Sequence, residues 1–280
     1  MEWEIDPSNS SGTVFSHMKI IRYSDPSGQI HSGIEQADGR VTRLDGDVFG
    51  PRKDTGETAE VARLLAPVVP TQILCIGLNY GHHANESGMA VPERPILFVK
   101  GINTLQDPGE PILIPTHLRS DEVDYECELA VVIGKPCKNV SRDEALDYVL
   151  GYTCANDVSE RVIQKEEMDQ GCLLIGKGFD TFCPLGPVIA TGLDPSDLKL
   201  EARLNGETRQ SSSTSDLLFT VPQLVSYLSQ AISLQPGDVI ITGTPSGVGE
   251  IAPGDVMEIA LEGVGVLRNS VVAETRTDAR

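Results

Sequence analysis

The sequence predicts a mixed α/β protein that is mostly β-strand. Short apolar or alternating segments recur from residue 18 onward, LLIGKGF at 173–179 among them, and turns rich in Gly, Pro, Asp and Asn separate them, which is typical of many short strands. Helical patterns are fewer, chiefly a segment with a capping-box sequence at 141–149 and a second at 221–232. Because strands and helices do not alternate regularly, we expect a mostly β body and not a doubly wound parallel sheet.

The chain divides into three parts of different character. Its 280 residues suffice for one large domain, or for one large and one small domain. Residues 1–17 are polar and lack periodicity, so we interpret them as an N-terminal extension. Residues 18–70 contain short strands broken by the turns SDPSGQ and ADGR, which predicts a small β-rich N-terminal lobe. Residues 71–276 then form the large domain.

The charge and cysteine content exclude several classes of partner. A net charge of -19 disfavours binding to nucleic acid or to an anionic membrane, because both require a basic surface. We find no apolar run long enough to span a bilayer, and the first 17 residues carry three acids and no Lys or Arg, unlike a signal or transit peptide.

The six cysteines form no CxxC pair, which favours a reduced, cytoplasmic setting.

The segment VDYECELAVVIG, residues 123–134, places three acids at alternate positions. In a strand, Asp124, Glu126 and Glu128 would point to the same face, where like charges repel and burial of ionised carboxylates is costly. A solvated strand face is one interpretation. The apolar run that follows is expected to be covered on both sides, and this favours a bound cation that neutralises the acids.

A fourth acid, Asp157, comes at the end of another strand-like run in CANDVSERVIQ. There it could converge with Glu126 and Glu128 in an all-oxygen site, which favours Mg²⁺, Mn²⁺ or Ca²⁺ over Zn²⁺. Asp124 is either a further ligand or a partner for the backbone or a nearby cation.

Seven motifs together resemble the fumarylacetoacetate hydrolase family, over about residues 73–272. The resemblance implies the C-terminal β-roll of that family with a small β-rich N-terminal lobe, and is strongest to its small acylpyruvate hydrolase and hydroxymuconate isomerase-like branch. In chain order the motifs are GLNYGHHANE, PILFVK, VDYECELAVVIGK, GYTCANDVSER, GKGFDTFCPLGP, LNGETRQ and PGDVIITGTPSGVG.

The resemblance implies a metal centre and an active-site lysine. Glu126, Glu128 and Asp157 match the family's ligands for a divalent metal, for which we expect Mg²⁺ or Mn²⁺, with Ca²⁺ as a further candidate. Lys177, in GKGFD, matches the family's active-site lysine.

Five further residues match family positions that act on the substrate or on water. His83 and Glu86 in HHANE match a dyad that activates water, and their spacing places them on one face if the segment is helical. A surface pair on a helix is the alternative. Arg161 and Gln164 match a substrate-side pair, and Thr244 in TGTP matches a residue that contacts the substrate carboxylate.

Three positions depart from the usual family pattern. Glu160 replaces a residue that is commonly small, Gly178 replaces a common hydroxyl residue after the lysine, and the loop GVGEIAPGD at 247–255 is short. We expect all three to alter the rim of the pocket.

The implied activity is metal-dependent hydrolysis of a carbon–carbon bond in a β-diketo acid of the acylpyruvate type, through a stabilised enolate. Decarboxylation of an oxaloacetate-like acid and isomerisation of a hydroxymuconate-like diacid would use the same site. A non-catalytic binding or assembly protein of the same fold is an alternative of another class, although the intact ligand set and Lys177 argue against it. The partners expected are a small anionic 2-oxo acid and, from the family and from the common two-fold symmetry of oligomers, a second copy of the chain.

Overall fold

A computed structural model describes residues 17–88, 90–118 and 122–275. For Asn85, Glu86 and Ser87 it describes the backbone alone. Residues 1–16, most of the expected N-terminal extension, lie outside the described residues.

The described residues are mostly β-strand, arranged in three sheets, and the predicted fold class is confirmed. The strands are β1 Lys19–Ser24, β2 Ile30–Glu35, β3 Val41–Gly46, β4 Arg52–Thr58, β5 Arg63–Leu65, β6 Ile73–Gly77, β7 Ile96–Lys100, β8 Leu105–Gln106, β9 Ile112–Ile114, β10 Val123–Tyr125, β11 Cys127–Ile133, β12 Val149–Asn156, β13 Ser159–Glu160, β14 Cys183–Ala190, β15 Lys199–Leu204, β16 Glu207–Ser213, β17 Val239–Ile241, β18 Gly249–Glu250, β19 Val256–Leu261 and β20 Gly265–Ala273.

Three α-helices and four 3-10 helices complete the described elements. None of these helices is long and apolar enough to cross a bilayer. The α-helices are α1 Gly81–Ser87, α2 Arg161–Asp169 and α3 Val221–Ala231, and the 3-10 helices are Ile102–Thr104, Ala145–Tyr148, Ile175–Lys177 and Thr214–Asp216.

The largest sheet runs through both the N-terminal lobe and the body. Its strand order is β4-β3-β2-β1-β14-β12-β11-β17-β6-β7, with β5 paired to β1 and β8 paired to β14. The other sheets have the orders β16-β15-β19-β20-β9 and β13-β10-β18. Within the large sheet β1 lies antiparallel to β14, with Lys19 opposite Ala190 and Ile20 opposite Ile189.

The core lies between the large sheet and the five-stranded sheet. Every residue of β11 is buried, as are seven of the eight residues of β12, and both strands pack against β19 of the facing sheet. Two antiparallel strands buried on both faces provide a rigid support for side chains at their ends.

The expectation of one continuous strand over residues 123–134 is wrong, because the strand breaks at Glu126. Its first part, β10, joins the small sheet, and its second part, β11, joins the large one. At the break the N–H of Glu126 donates to Asn156 Oδ1 and the N–H of Cys127 donates to Gln210 Oε1. Side-chain amides thus satisfy the backbone where the chain changes sheets.

One of the two predicted helices is confirmed. The helix predicted at 221–232 is α3, whose Thr220 and Gln223 form a capping box. Within residues 141–149 only Ala145–Tyr148 is helical, as a 3-10 helix, and Val149 already begins β12. The Ser141 hydroxyl donates to the Glu144 side chain at 2.6 Å, and the helix has no side-chain cap.

Candidate active site and metal centre

Three buried carboxylates meet where β11 and β12 lie side by side. Cys127, the first residue of β11, pairs with Asn156, the last residue of β12. Glu126 and Glu128 on either side of Cys127 therefore lie at the same end of the ladder as Asp157, which follows Asn156. One carboxylate oxygen from each of the three acids lies within 4.8 Å of the other two. A buried set of oxygen donors alone suits a hard divalent cation. The structure therefore brings together the three predicted ligands, and their chemistry fits the predicted metal.

Lys177 lies against this cluster. Its Nζ donates to Glu126 Oε2 and to Asp157 Oδ2, both at 2.9 Å, and the side chain is buried. Burial acts to lower the pKa of Lys177, but the adjacent carboxylates of Asp157 and Glu126 outweigh it and raise that pKa. Lys177 is therefore held as an ammonium group beside the candidate metal position.

A second buried lysine, Lys100 at the end of β7, also contacts the cluster. Its Nζ donates to Asp157 Oδ1 at 2.6 Å and to the Val158 carbonyl at 3.0 Å. Sequence reasoning did not identify Lys100. The available signal was a lysine that closes the apolar run PILFVK on the same strand face as Phe98, which is also buried.

Glu126 and Glu128 have pKa values shifted in opposite directions. Burial acts to raise the pKa of Glu126, but Lys177 and Arg161 outweigh it and lower that pKa to about 2. Burial, reinforced by Asp157 and Glu126, raises the pKa of Glu128 well above its ordinary value. Glu128 accepts the N–H of Gly243 at 2.5 Å and makes no ion pair with any residue that the structure describes. It is the member of the cluster with least charge compensation.

Arg161 and Asp124 form a second layer of charge beside the cluster. Arg161 Nε donates to Asp124 Oδ2 at 2.7 Å, and its Nη1 lies 2.7 Å from Glu126 Oε1. The same Nη1 donates to Gln164 Oε1 at 2.8 Å. Of the roles considered for Asp124, the structure shows the pairing with a nearby cation.

Two of the departures from the family pattern have structural roles away from the rim. Glu160 is fully buried, and its side chain accepts the N–H of Ile163 as the N-cap of α2, so the expectation that it alters the rim is wrong. A Cβ at position 178 would lie 2.6 Å from the carbonyl oxygen of Leu174. Glycine is required there because two backbone segments approach closely.

The segment 173–179 is not the strand expected from its apolar pattern. Glu167 of α2 accepts the backbone N–H groups of Leu174, Ile175 and Gly176 at 3.0, 2.7 and 3.0 Å. These bonds hold the 3-10 helix that ends at Lys177. Glu167 therefore positions the lysine from a distance, and no sequence signal distinguished it from its acidic neighbours.

Thr244 follows β17, which pairs with β11 on the side opposite to β12. Its hydroxyl donates to the Cys127 carbonyl at 3.1 Å and accepts from Gln210 Nε2 at 2.8 Å. Gln210 also donates to the Pro245 carbonyl, so this amide ties the TGTP turn to the break in the acidic strand. Gln210 lies in the predicted motif LNGETRQ but was not assigned a role.

A cavity of about 410 Å³ joins these groups. His83 of α1 lines it, and Asp216 holds the start of that helix by accepting the N–H of His82 at 3.1 Å. The structure places Glu86 in α1 as well, three residues after His83, but its side chain lies outside the described residues. The predicted residues that line the cavity are His83, Glu126, Glu128, Arg161, Gln164, Lys177 and Thr244.

Comparison with known proteins gives the same family for sequence and structure. The fumarylacetoacetate (FAA) hydrolase C-terminal family model matches residues 72–272, and an Rv2993c-like N-terminal model matches residues 18–67. The chain is 40% identical over 280 residues to 2,4-didehydro-3-deoxy-L-rhamnonate hydrolase of Sphingomonas sp., covering 91% of this chain and 96% of that one.

Two further relatives carry different activity names. The mitochondrial oxaloacetate tautomerase fahd2 of Xenopus laevis is 43% identical over 220 residues, covering 75% of this chain and 68% of that protein. The crystal structure of 5-carboxymethyl-2-hydroxymuconate delta-isomerase from Mycobacterium smegmatis superposes with a TM-score of 0.84 at 41% identity, covering 92% of this chain and all of the other. This chain therefore belongs to the fumarylacetoacetate hydrolase family.

Proposed function

We propose that this protein is a divalent-metal-dependent hydrolase that cleaves a carbon–carbon bond in a β-diketo acid of the acylpyruvate type. The observation that carries the proposal is a cluster of three buried carboxylates, two of which line one cavity together with Lys177, Arg161 and His83. The name of the Sphingomonas relative supports it, because a 2,4-didehydro-3-deoxy sugar acid is a 2-oxo acid with a second carbonyl at carbon 4.

Glu126, Glu128 and Asp157 would hold the metal, with Mg²⁺ or Mn²⁺ proposed before Ca²⁺. When bound, the ion would supply a Lewis acid that stabilises negative charge developing on the 2-oxo group of the substrate.

Cationic and amide side chains around the cluster would hold the substrate and its developing charge. The Lys177 ammonium donates to the oxyanion, together with the Nε2 amide of Gln164, whose Oε1 is occupied by Arg161. Arg161 and Thr244 orient the substrate carboxylate.

His83 would activate the attacking water. It accepts a proton as the water oxygen bonds to carbon 4, with Glu86 proposed to orient its ring. The bond between carbons 3 and 4 then breaks, its electron pair moves into the enolate of the 2-oxo acid, and the proton passes from His83 to carbon 3. The products are a 2-oxo acid and a carboxylic acid.

Isomerisation or tautomerisation is the second candidate, and the names of the Mycobacterium smegmatis and Xenopus laevis relatives favour it. Both reactions, like decarboxylation, require the enolate but no attacking water. The candidates therefore differ in what they require of His83 and not in what they require of the carboxylates.

A substrate panel tests the choice. We expect acetylpyruvate to lose its enol absorbance and release acetate in the presence of Mg²⁺ or Mn²⁺, and to be stable after chelation. Conversion of a hydroxymuconate-type diacid or of oxaloacetate without cleavage of acetylpyruvate would favour the second candidate. Turnover of none of them, with metal bound, would favour a binding protein.

His83→Ala separates the two candidates within one protein. It should abolish acetylpyruvate cleavage, reduce oxaloacetate decarboxylation less, and leave metal affinity unchanged because His83 is not in the ligand cluster. His82→Ala is the matched control, since its exposed ring contacts Asp216 and does not line the cavity. An equal loss of both activities in His83→Ala, or an equal effect of the control, would remove His83 from the water-activating role.

A further inference from the structure

The strand β7 runs between the carboxylate cluster, which Lys100 contacts, and an apolar part of the cavity wall, which contains Phe98 and Ile96. Lys100, Phe98 and Ile96 lie on one strand face, spaced about 6.6 Å apart in turn. Lys100 contacts Asp157, the Lys177 ammonium lies 5.2 Å from the Phe98 ring centroid, and Ile96 lines the cavity beyond Phe98. Along this face the side chains change from a lysine paired with the carboxylate cluster to apolar residues that line the cavity.

Helix α2 shows the same change on another wall. Arg161 at its start contacts Glu126, whereas Met168, two turns later and about 10 Å along the axis, lines the cavity together with Leu173. Ile96 and Met168 are 44% and 50% exposed, so their apolar surface is open to a ligand. The apolar residues that line the cavity are Ile76, Leu78, Ile96, Phe98, Met168 and Leu173.

Four of the six acidic, lysine and arginine side chains that line the cavity belong to the carboxylate cluster and its cations. Arg161 and Lys177 are both paired with carboxylates. Lys165 is the only lysine or arginine lining the cavity that makes no ion pair with a described residue, and Asp169, which also lines the cavity, follows it by one helical turn. A second carboxylate on the substrate would therefore meet one exposed ammonium group, that of Lys165, and the neighbouring carboxylate of Asp169 would repel it.

We propose that the substrate carries an apolar acyl group of several carbons beyond its reacting carbonyl, and that the wall formed by Ile96, Phe98, Met168 and Leu173 binds this group. The proposal rests on the hydrolase function proposed above and specifies its substrate class. A cavity of about 410 Å³ lies in the range that holds ligands larger than acetylpyruvate. Transfer of each methylene from water to this wall should improve binding by up to about fourfold.

Binding of unreactive 2-oxo acids tests the wall without requiring turnover. In the metal-loaded protein, calorimetry should show affinity rising from pyruvate through 2-oxobutanoate to 2-oxohexanoate, by about two- to fourfold per methylene. The closest comparison is 2-oxohexanoate with 2-oxoadipate, which have the same chain length but end in a methyl group and a carboxylate. We expect the methyl compound to bind at least tenfold more tightly. Equal or tighter binding of 2-oxoadipate, reduced by Lys165→Met, would overturn the proposal.

Variants locate the binding surface. Ile96→Ser and Met168→Ser should flatten the dependence of affinity on chain length, because they should weaken binding of 2-oxohexanoate more than binding of pyruvate. Leu97→Ser is the matched control, because Leu97 is similarly exposed but lies on the opposite face of β7. An unchanged chain-length dependence in both test variants would contradict the assigned wall.

Turnover separates this inference from the proposed function. We expect kcat/KM for hexanoylpyruvate to exceed that for acetylpyruvate by at least tenfold. Cleavage of both at equal rates would overturn the inference and leave the hydrolase standing. Chain-length dependent binding without cleavage of either would overturn the hydrolase and leave the apolar wall standing.

Discussion

Glu128 lies two residues from Glu126, yet its charge is far less compensated. Glu126 accepts a hydrogen bond from the Lys177 ammonium group and pairs with Arg161, whereas Glu128 accepts a hydrogen bond from the uncharged backbone N–H of Gly243. Burial and the neighbouring acids raise the pKa of Glu128, so its ionised form destabilises the metal-free protein. A divalent ion would remove that repulsion.

Glu128→Gln should therefore stabilise the metal-free protein, by on the order of 1 kcal/mol, and abolish its stabilisation by metal. Urea unfolding with and without Mn²⁺ measures both effects. Glu250→Gln removes an exposed acid and serves as the control. A wild-type response to Mn²⁺ in Glu128→Gln would remove Glu128 from the ligand set.

Lys100→Met should have the opposite effect on the metal-free protein. It removes one of the two buried ammonium groups that pair with Asp157 and leaves Lys177 as the other, so we expect a loss of about 1.5–3 kcal/mol, the range for a hydrogen bond to a charged group. Mn²⁺ should recover part of that loss, because a bound cation would also compensate the charge of Asp157. Lys199→Met, at an exposed strand position, should change the free energy of unfolding by less than about 0.5 kcal/mol. Equal effects of the two variants would show that the Lys100 ion pair adds nothing.

The site residues that could be predicted were those whose partners lie in a recognisable local pattern. Alternation of acids marked Glu126 and Glu128, and the family motifs marked Lys177 and Arg161. Lys100 contacts an acid 57 residues away and the carbonyl of Val158, and these contacts compensate its buried ammonium group. A single sequence does not show which distant acid will compensate a lysine in an apolar strand.

At the scale of elements, α2 and the 3-10 helix that precedes Gly178 act as one unit through Glu167. Burial acts to raise the pKa of Glu167, but the N–H groups of Gly176, Ile175 and Leu174 outweigh it and lower that pKa. The bonds to the ionised carboxylate are thus fully formed above its ordinary pKa and are lost as pH falls through the lowered value.

Glu167→Gln should reduce stability by about 1 kcal/mol near neutral pH and by less as pH falls below 4.5. It should also speed amide hydrogen exchange at Leu174–Gly176. We expect kcat to fall as well, because Glu167 holds the segment that positions Lys177. Glu166→Gln, the exposed neighbour, should do neither. A stability difference that grows on acidification would contradict the assigned bonds.

Elements were predictable where local signals agreed with tertiary contacts. Helix α3 has its own capping box, and its pattern was sufficient. The acidic strand breaks because Asn156 and Gln210 supply amides from elsewhere in the chain. Its alternation continued through the break, so periodicity alone predicted one strand.

At the scale of the whole molecule, we predict a homodimer, from the family resemblance and from the frequency of two-fold symmetry among oligomers. Light scattering should give about twice the chain mass of 30.1 kDa. A mass near that of one chain at micromolar concentration would contradict the prediction. A cytoplasmic location likewise stays a prediction, and the six free cysteines are compatible with it.

The pairing of β1 with β14 joins the N-terminal lobe to the body through more than their sequence connection. Met18 and Thr191 exchange backbone and side-chain bonds beside it, and Ile20 packs in the same core cluster as Ile189. Since β14 pairs next with β12, which leads to Asp157, loss of the lobe would expose a strand one position from the metal centre.

The lobe and the site should therefore melt together. We expect one calorimetric transition, and we expect Mn²⁺ to slow hydrogen exchange at the backbone amides of β1 that open only on global unfolding, although no lobe residue belongs to the ligand cluster. Two transitions, or protection confined to the body, would contradict this. If the coupling holds, occupancy of the metal site could be read from amides of a lobe that takes no part in the chemistry.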